Sequence, residues 1–531
     1  MSGAATARLA EARDALARGE IKRCAGMAGE MIRADAGNAE ALFLLALALA
    51  EMGRVGLALQ ALEQAVERAP DRADYQAQLA RLLSLARRER EARHTADRAH
   101  ILAERRKDRD ARTWDTIGCV YARLGDHGAA LPLFARAVAL SPHDARWRLN
   151  HAISLGFFGN VAAAEREYEA VLEREPQNGR AHLGLAGLRT QKEDANHIER
   201  LERAIRQGAP EADLLRIRHA LAKEYEDIGA HDACFAQLSA ANARLKQGRG
   251  FTLAADEARV AALIEAFSDP GYFRSSGFRA GDDPIFITGL PRTGTTLADR
   301  ILSSHPAVRA AGELQAMPLA IKHLAGTGSR YVLDPETIRA MRDVAPAQLG
   351  QAYLDRARQH EGARSGRFTD KLPLNFLNIG HIARALPDAP IICLRRQPMD
   401  TVWATYKMLF APESPYYGWS YDLLDCAGYY ALFDRLMAFW KALFPGRILE
   451  LNYEALIADQ EGETRRLLDH ARLEWSGRCL RFHESDGAVA TPSAQQVRSP
   501  LNARSIGRWR AYARHLEPAR QWLERQGIST D

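Results

Sequence analysis

The first half of the chain repeats a helical pattern of apolar positions. From Ala111 to Pro142 they fall at Trp114, Ile117, Tyr121, Ala130, Phe134 and Ala137, three or four residues apart within each run. That spacing puts an apolar stripe on each of two amphipathic helices. Gly118 and Ala130 are small where two antiparallel helices come closest, and Pro142 ends the second helix. The register recurs before Pro70 (Ala46, Ala58, Leu62, Ala65), before Pro176 (Ala152, Ala164, Tyr168) and weakly before Pro210. The prolines at 142, 176 and 210 stand 34 residues apart. Between Pro70 and Pro142 the gap holds four residues more than two periods of 34, and these are expected in a turn near Asp108. A further unit carries Ala222, Tyr225, Cys234, Leu238 and Ala241, and residues 4–37 fit loosely, for about seven hairpins.

The order Trp114, Ile117, Gly118, Tyr121, then Ala130, Phe134 and Pro142 resembles the tetratricopeptide repeat. The resemblance implies an α-solenoid over residues 1–250, whose concave face would hold a protein or peptide.

After Gly250 the small-residue pattern fades. Ser275-Ser276-Gly277 and Gly281-Asp282-Asp283-Pro284 punctuate the chain, so residues 251–283 are expected to form a linker. The short β-rich run Ile285–Thr288 then leads through Gly289 into a helix-like run, Leu297–Leu302. Ala389–Leu394 reads as a buried strand followed by a helix over Thr401–Phe410. Apolar strands alternating with helices predict an α/β domain over residues 284–531, with a central parallel sheet covered by helices on both faces.

Composition narrows the function classes. The chain has 531 residues, 47% hydrophobic and 26% charged, the balance of a globular protein large enough for more than one domain. The net charge of +5 is too small to argue for nucleic acid. No apolar stretch is long enough for a membrane span, and no leader pattern opens the sequence, so a cytoplasmic protein is expected. Six dispersed cysteines without a C-x-x-C pair argue against a disulfide framework, and no His/Asp/Glu/Cys cluster has metal-ligand spacing.

The chemistry begins at Gly289-Leu-Pro-Arg-Thr-Gly294-Thr-Thr. A strand, a glycine-bounded turn and a helix start bring backbone N–H groups onto a phosphate. The glycine spacing is that of the nucleotide triphosphatase loop, but Thr295 stands at the place of its lysine and Arg292 supplies the cation.

Pro291-Arg-Thr-Gly-Thr-Thr-Leu297 resembles the 5′-phosphosulfate loop of the sulfotransferases, here of the bacterial tetratricopeptide type and more distantly the tyrosylprotein type. The resemblance continues to about residue 512. It implies that Arg292, Thr293, Gly294, Thr295 and Thr296 hold the donor's 5′ end. Ala311-Gly-Glu313 resembles the segment bearing the catalytic base, which assigns that role to Glu313. Phe368-Thr-Asp-Lys371 resembles the segment of the catalytic lysine, which makes Lys371 the charge stabiliser. Arg396 in Arg395-Arg-Gln-Pro-Met-Asp400 would grip the 3′-phosphate. The family's serine eight residues on is Ala404 here, so Thr405 is expected to substitute on a rotated helix. Tyr453 in Tyr453-Glu-Ala-Leu would lie by the nucleotide. In the C-terminal loop Ser493 would bond the transferring group, and Arg508 would cap a phosphate.

Together these imply a sulfotransferase that carries a sulfuryl group from 3′-phosphoadenosine-5′-phosphosulfate to an acceptor hydroxyl of a protein tyrosine, saccharide or small molecule. It would leave adenosine 3′,5′-bisphosphate and need no metal. The rival expectations are a repeat scaffold with an inactive transferase domain and a P-loop kinase. The acceptor and the oligomeric state are left open by the sequence.

Overall fold

A computed structural model describes residues 3–274, 284–329, 331–363, 365–412, 414–485, 487–491 and 496–531. The chain divides into two compact units, Met1–Leu155 and Gly156–Asp531.

In the first unit helices pair as hairpins: Ala39–Glu51 with Val55–Arg68, Ala73–Leu85 with Glu89–Arg106, and Ala111–Arg123 with His127–Leu140. Side-chain oxygens of Asn38, Asp110 and Asp126 accept N–H groups at three of the helix starts, each cap contributing about 1 kcal/mol. Trp114 is fully buried and its indole donates to Asp108 O at 3.1 Å. A Cβ on Gly118 would lie 2.8 Å from the Phe134 ring, which is the close approach the repeat pattern requires. The four extra residues do not lie in a turn. They lengthen the helix Glu89–Arg106 to 18 residues, against 14 for His127–Leu140. Its sequence contains no Gly or Pro to stop it, and the Arg93–Asp97 pair at i, i+4 supports an added turn.

In the second unit hairpin helices continue to His231–Arg249. Within the expected linker, residues 254–268 instead form a helix that buries Val260, Leu263 and Phe267. Those three residues share one helix face at i, i+3 and i+7, and Phe267 meets Trp440 edge-on at 5.0 Å. Residues 275–283 of that expected linker lie outside the described residues.

The sheet has five parallel strands: β1 Pro284–Gly289, β2 Val308–Ala310, β3 Arg367–Lys371, β4 Ile391–Arg395 and β5 Ile448–Asn452. They lie in the order β2-β3-β1-β4-β5, with Ile287 opposite Lys371 on one side of β1 and Ile392 on the other. Strand alternation sorts the core into two layers. Ile285, Ile287, Ile392 and Leu394 pack with Leu297 and Ile301 of the helix Thr295–Ser303. Phe286, Phe368, Ile391 and Cys393 pack on the other face with Phe433, Met437 and Trp440 of the helix Leu423–Leu443. Burial on both faces explains why β1 is apolar throughout its middle. The chain leaves β1 for β2 and β3 on one side and later for β4 and β5 on the other, and the crevice beyond the carboxyl ends at such a switch point is where open α/β sheets bind ligands.

None of the six cysteines, all among the described residues, is joined in a disulfide. Among the described residues, no helix is long and apolar enough to cross a membrane.

Candidate functional site

Each strand delivers part of the site at its carboxyl end. β1 runs into the loop 289–294, where a Cβ on Gly289 would come 2.7 Å from Leu394 O of β4. Thr293 is buried and its hydroxyl donates to Leu290 O at 2.7 Å, so it braces the loop from within. Arg292 holds a left-handed backbone with φ of 68°, which costs a non-glycine residue about 1–2 kcal/mol. Gly294, at φ of 104°, caps the helix Thr295–Ser303, and a Cβ there would meet the Tyr453 ring at 2.7 Å. Thr295 is buried in the first turn, while the Thr296 hydroxyl faces that of Thr491 at 3.5 Å.

From the end of β4, Arg396 reaches back to this loop. Its Nη1 donates to Arg292 O at 2.9 Å and its Nη2 to Ser505 O at 2.5 Å. The guanidinium lies 5.0 Å over the Tyr453 ring, and the Tyr453 hydroxyl meets Ser505 Oγ at 2.7 Å. Burial and the charge of Arg396 push the Arg292 guanidinium down to about 10. Two guanidiniums repelling each other at one loop make a place where an anion is stabilised.

On the other side of β1, Lys371 ends β3. It is 1% exposed, and its Nζ donates to Glu313 Oε1 at 2.5 Å. The segment after β2 carries Glu313 there, because Ala311 N donates to Thr369 O and Lys371 N to Gly312 O, both at 3.0 Å. The Glu313 side chain keeps 47% of its surface exposed, so it can be reached from solvent. Beneath the pair, Thr369 donates to Asp299 at 2.5 Å. Burial raises the Asp299 carboxyl, against the opposing charge of Lys371. Asp370 is fully buried and accepts from the Tyr353 hydroxyl at 3.1 Å; burial pushes its carboxyl up to about 8. The phenol of Tyr417 is also pushed up, by burial and by the charge of Glu313. Phe410 stacks on Tyr417 at 4.4 Å, and both rings are partly exposed.

The expected residues thus form two groups: Arg292, Gly294, Arg396 and Tyr453 around the loop, and Glu313 with Lys371 beyond β3. Thr405 does not join them. Its hydroxyl donates to Thr401 O at 2.8 Å and Val402 O at 3.0 Å, and it lies against Cys426 Sγ inside the packing of helix Pro398–Tyr406 on Leu423–Leu443. Arg508 is paired with Glu226 at 3.5 Å. Ser493 lies outside the described residues.

Sequence reasoning passed over Asp400. This buried carboxylate accepts Gly507 N at 2.6 Å and Trp509 N at 3.1 Å, and so pins the C-terminal loop beside the site. Its signal was its place in the segment Arg395-Arg-Gln-Pro-Met-Asp400, where an acid in the first turn after Pro398 reads equally as a helix cap.

The loop fits an anionic nucleotide. Arg396 is clamped on the loop through Arg292 O, and its buried Nε is without a partner among the described residues. No group of three or more His, Cys, Asp or Glu suited to a metal occurs among the described residues.

Residues 284–477 match the sulfotransferase family, and residues 39–72 and 111–144 match the tetratricopeptide repeat. An uncharacterized protein of Aquifex aeolicus (strain VF5) is 32% identical over 309 residues, covering 57% of this chain and 40% of that protein. A putative protein-tyrosine sulfotransferase of Caenorhabditis briggsae is 28% identical over 233 residues, covering 42% of this chain and 80% of that one. The sulfotransferase domain of the Synechococcus PCC 7002 olefin synthase aligns at 19% identity and a TM-score of 0.33, covering 45% of this chain and 90% of that domain. The strand-loop-helix that begins at Pro284 thus opens the segment that is similar to the sulfotransferase family, and two hairpins ahead of it in sequence are similar to the tetratricopeptide repeat.

Proposed function

We propose that the protein transfers a sulfuryl group from 3′-phosphoadenosine-5′-phosphosulfate to an acceptor hydroxyl. The observation that carries this proposal is the division of charge across β1. On one side Arg396 lies over Tyr453 and clamps the backbone of Arg292, and on the other a buried lysine meets a half-exposed carboxylate.

On this proposal Arg396 and the 289–296 loop hold the nucleotide phosphates, with Tyr453 against them. The donor supplies an activated sulfuryl group, whose sulfur bonds the acceptor oxygen as its bond to the 5′-phosphate oxygen breaks. Glu313 takes the acceptor proton, which needs hydrogen-bond reach to the hydroxyl. Lys371 holds Glu313 in place and presents an ammonium to the charge that builds on the leaving phosphate, stabilisation that grows toward the transition state. Ser493 and Arg508 would complete the loop over the donor. The functional division falls between repeats over residues 1–250 and the transferase domain over residues 284–531.

The acceptor proposed is a phenol, such as a protein tyrosine. The partly exposed Phe410–Tyr417 stack offers a flat apolar face on which an aromatic ring would lie. Relatives named as protein-tyrosine sulfotransferases favour the same acceptor. The test is incubation with sulfur-labelled donor and a panel of tyrosine peptides, simple phenols and saccharides. Label on phenols alone supports both parts of the proposal. Label on saccharides alone overturns the acceptor, and label on nothing, with no bisphosphate binding, overturns the transferase.

A further inference from the structure

The last repeat hairpin, Glu211–Asp227 and His231–Arg249, packs against the end of the helix Pro398–Tyr406 and the segment 508–512. Near the end of its first helix stands Glu226, 9% exposed. Its carboxylate receives Lys407 Nζ at 2.8 and 3.0 Å and lies 3.5 Å from Arg508 Nη2. Trp403 Nε1 and the Tyr512 hydroxyl also donate to it, both at 3.4 Å. Burial opposes the charge, but Lys407 and Arg508 hold the carboxyl below its usual range. An ionised carboxylate this deep persists only when it is paired and hydrogen-bonded.

Its partners come from the two segments that frame the donor loop. Trp403 and Lys407 stand at the end of the helix Pro398–Tyr406, whose first turn carries Asp400. Arg508 and Tyr512 follow Ser505, which bonds both Arg396 and Tyr453. The loop 505–509 is therefore held from two sides, by Asp400 through Gly507 N and Trp509 N and by Glu226 through Arg508. Tyr512 stacks on Trp403 at 3.8 Å and meets His231 at 3.2 Å, while Asn242 donates to Tyr406 O at 2.9 Å. The second helix of the hairpin thus seats on the same segments.

We infer that Glu226, a residue of the repeat array, is a positioning residue of the nucleotide site: it holds Arg508 and the 505–509 loop in register with Arg396 and Tyr453. The inference rests on the proposed donor. It makes the last hairpin a working part of the transferase and gives the repeat array a route to donor affinity.

The test uses the full chain and adenosine 3′,5′-bisphosphate. Titration calorimetry on wild type, Glu226→Gln, Arg508→Gln and the double variant should show Glu226→Gln weakening the bisphosphate about tenfold. The double variant should bind no more weakly than the weaker single, because both act through one contact. With an active acceptor, the donor KM should rise while the acceptor KM stays. A general loss of packing would move both. Glu226→Asp keeps the charge but withdraws the carboxylate by one methylene, so it should weaken binding while the fold persists. Wild-type affinity in Glu226→Gln or in Glu226→Asp, or losses that multiply in the double variant, would overturn the inference. Absence of bisphosphate binding in the wild type itself would sink the donor assignment, a result distinct from any of these.

Discussion

Lys371 donates to Glu313 across 2.5 Å, so the candidate base is anchored by the candidate charge stabiliser before any acceptor arrives. Removing the carboxylate outright would leave a buried ammonium unpaired, which is strongly destabilising. Glu313→Gln avoids this, because the amide oxygen still accepts from Lys371. This variant should keep bisphosphate affinity while turnover falls by about 10²–10⁴-fold, the size of general-base catalysis. Steady-state kinetics with calorimetry would check it, and unimpaired turnover would place the base elsewhere.

Lys371→Ala should behave differently, lowering both turnover and donor affinity, because in the proposed mechanism the ammonium also faces donor charge. A phenol of low pKa needs no proton removed. It should rescue Glu313→Gln substantially and Lys371→Ala hardly at all, and equal rescue would contradict the division of roles.

Arg396 offers the plainest test of the nucleotide assignment. Calorimetry should show adenosine 3′,5′-bisphosphate binding without magnesium and ATP binding poorly. Arg396→Ala should weaken the bisphosphate by about 2–5 kcal/mol, the cost of deleting one partner of a buried charge pair. Tight magnesium-dependent ATP binding would point to a kinase instead.

Thr405→Val should leave bisphosphate affinity within about 0.5 kcal/mol of wild type, since the lost hydroxyl bonds its own helix and lies against Cys426 Sγ, away from the loop 289–296. A large loss would show that this hydroxyl turns toward the nucleotide after all.

Asp370 should shape stability against pH. Its folded carboxyl titrates at about 8, far above an ordinary aspartate, so the folded state keeps a proton that the unfolded chain releases near pH 4. Stability from this group is full below that lower value and is lost as pH rises toward 8, beyond which the loss levels off. Asp370→Asn, which mimics the protonated form, should flatten that decline and raise the melting temperature at pH 7–8. A wild-type slope retained in the variant would show that another group titrates.

The sequence carried the periodic parts of this fold well. Trp114, Gly118 and Phe134 meet as their spacing implies, because a repeat encodes its packing within about 34 residues. The strand and loop from Ile285 to Thr296 were equally legible, since glycines and an apolar run act locally. The extra helical turn before Arg106 was less so, because an insertion count does not say whether residues join a helix or a turn. The helix over residues 254–268 was overlooked, although Val260, Leu263 and Phe267 lie on one face, because the flanking Gly and Ser runs suggested a break. Pairings such as Glu226 with Arg508 lie 282 positions apart and have no local signature. Thr405 shows the converse, a residue chosen by adjacency whose side chain the helix turns inward.

The position of β1 in the middle of the sheet bears on how such an enzyme diversifies. Arg396 and Tyr453 descend from β4 and β5, whereas Glu313 and Lys371 descend from β2 and β3. The two flanks share the loop after β1 and are otherwise stitched into the sheet by separate hydrogen-bond ladders. Substitutions that accumulate along the segment following β2 can reshape what enters beside Glu313 without disturbing the guanidinium pair. A lineage built on this sheet can therefore inherit one half unchanged and explore new chemistry with the other.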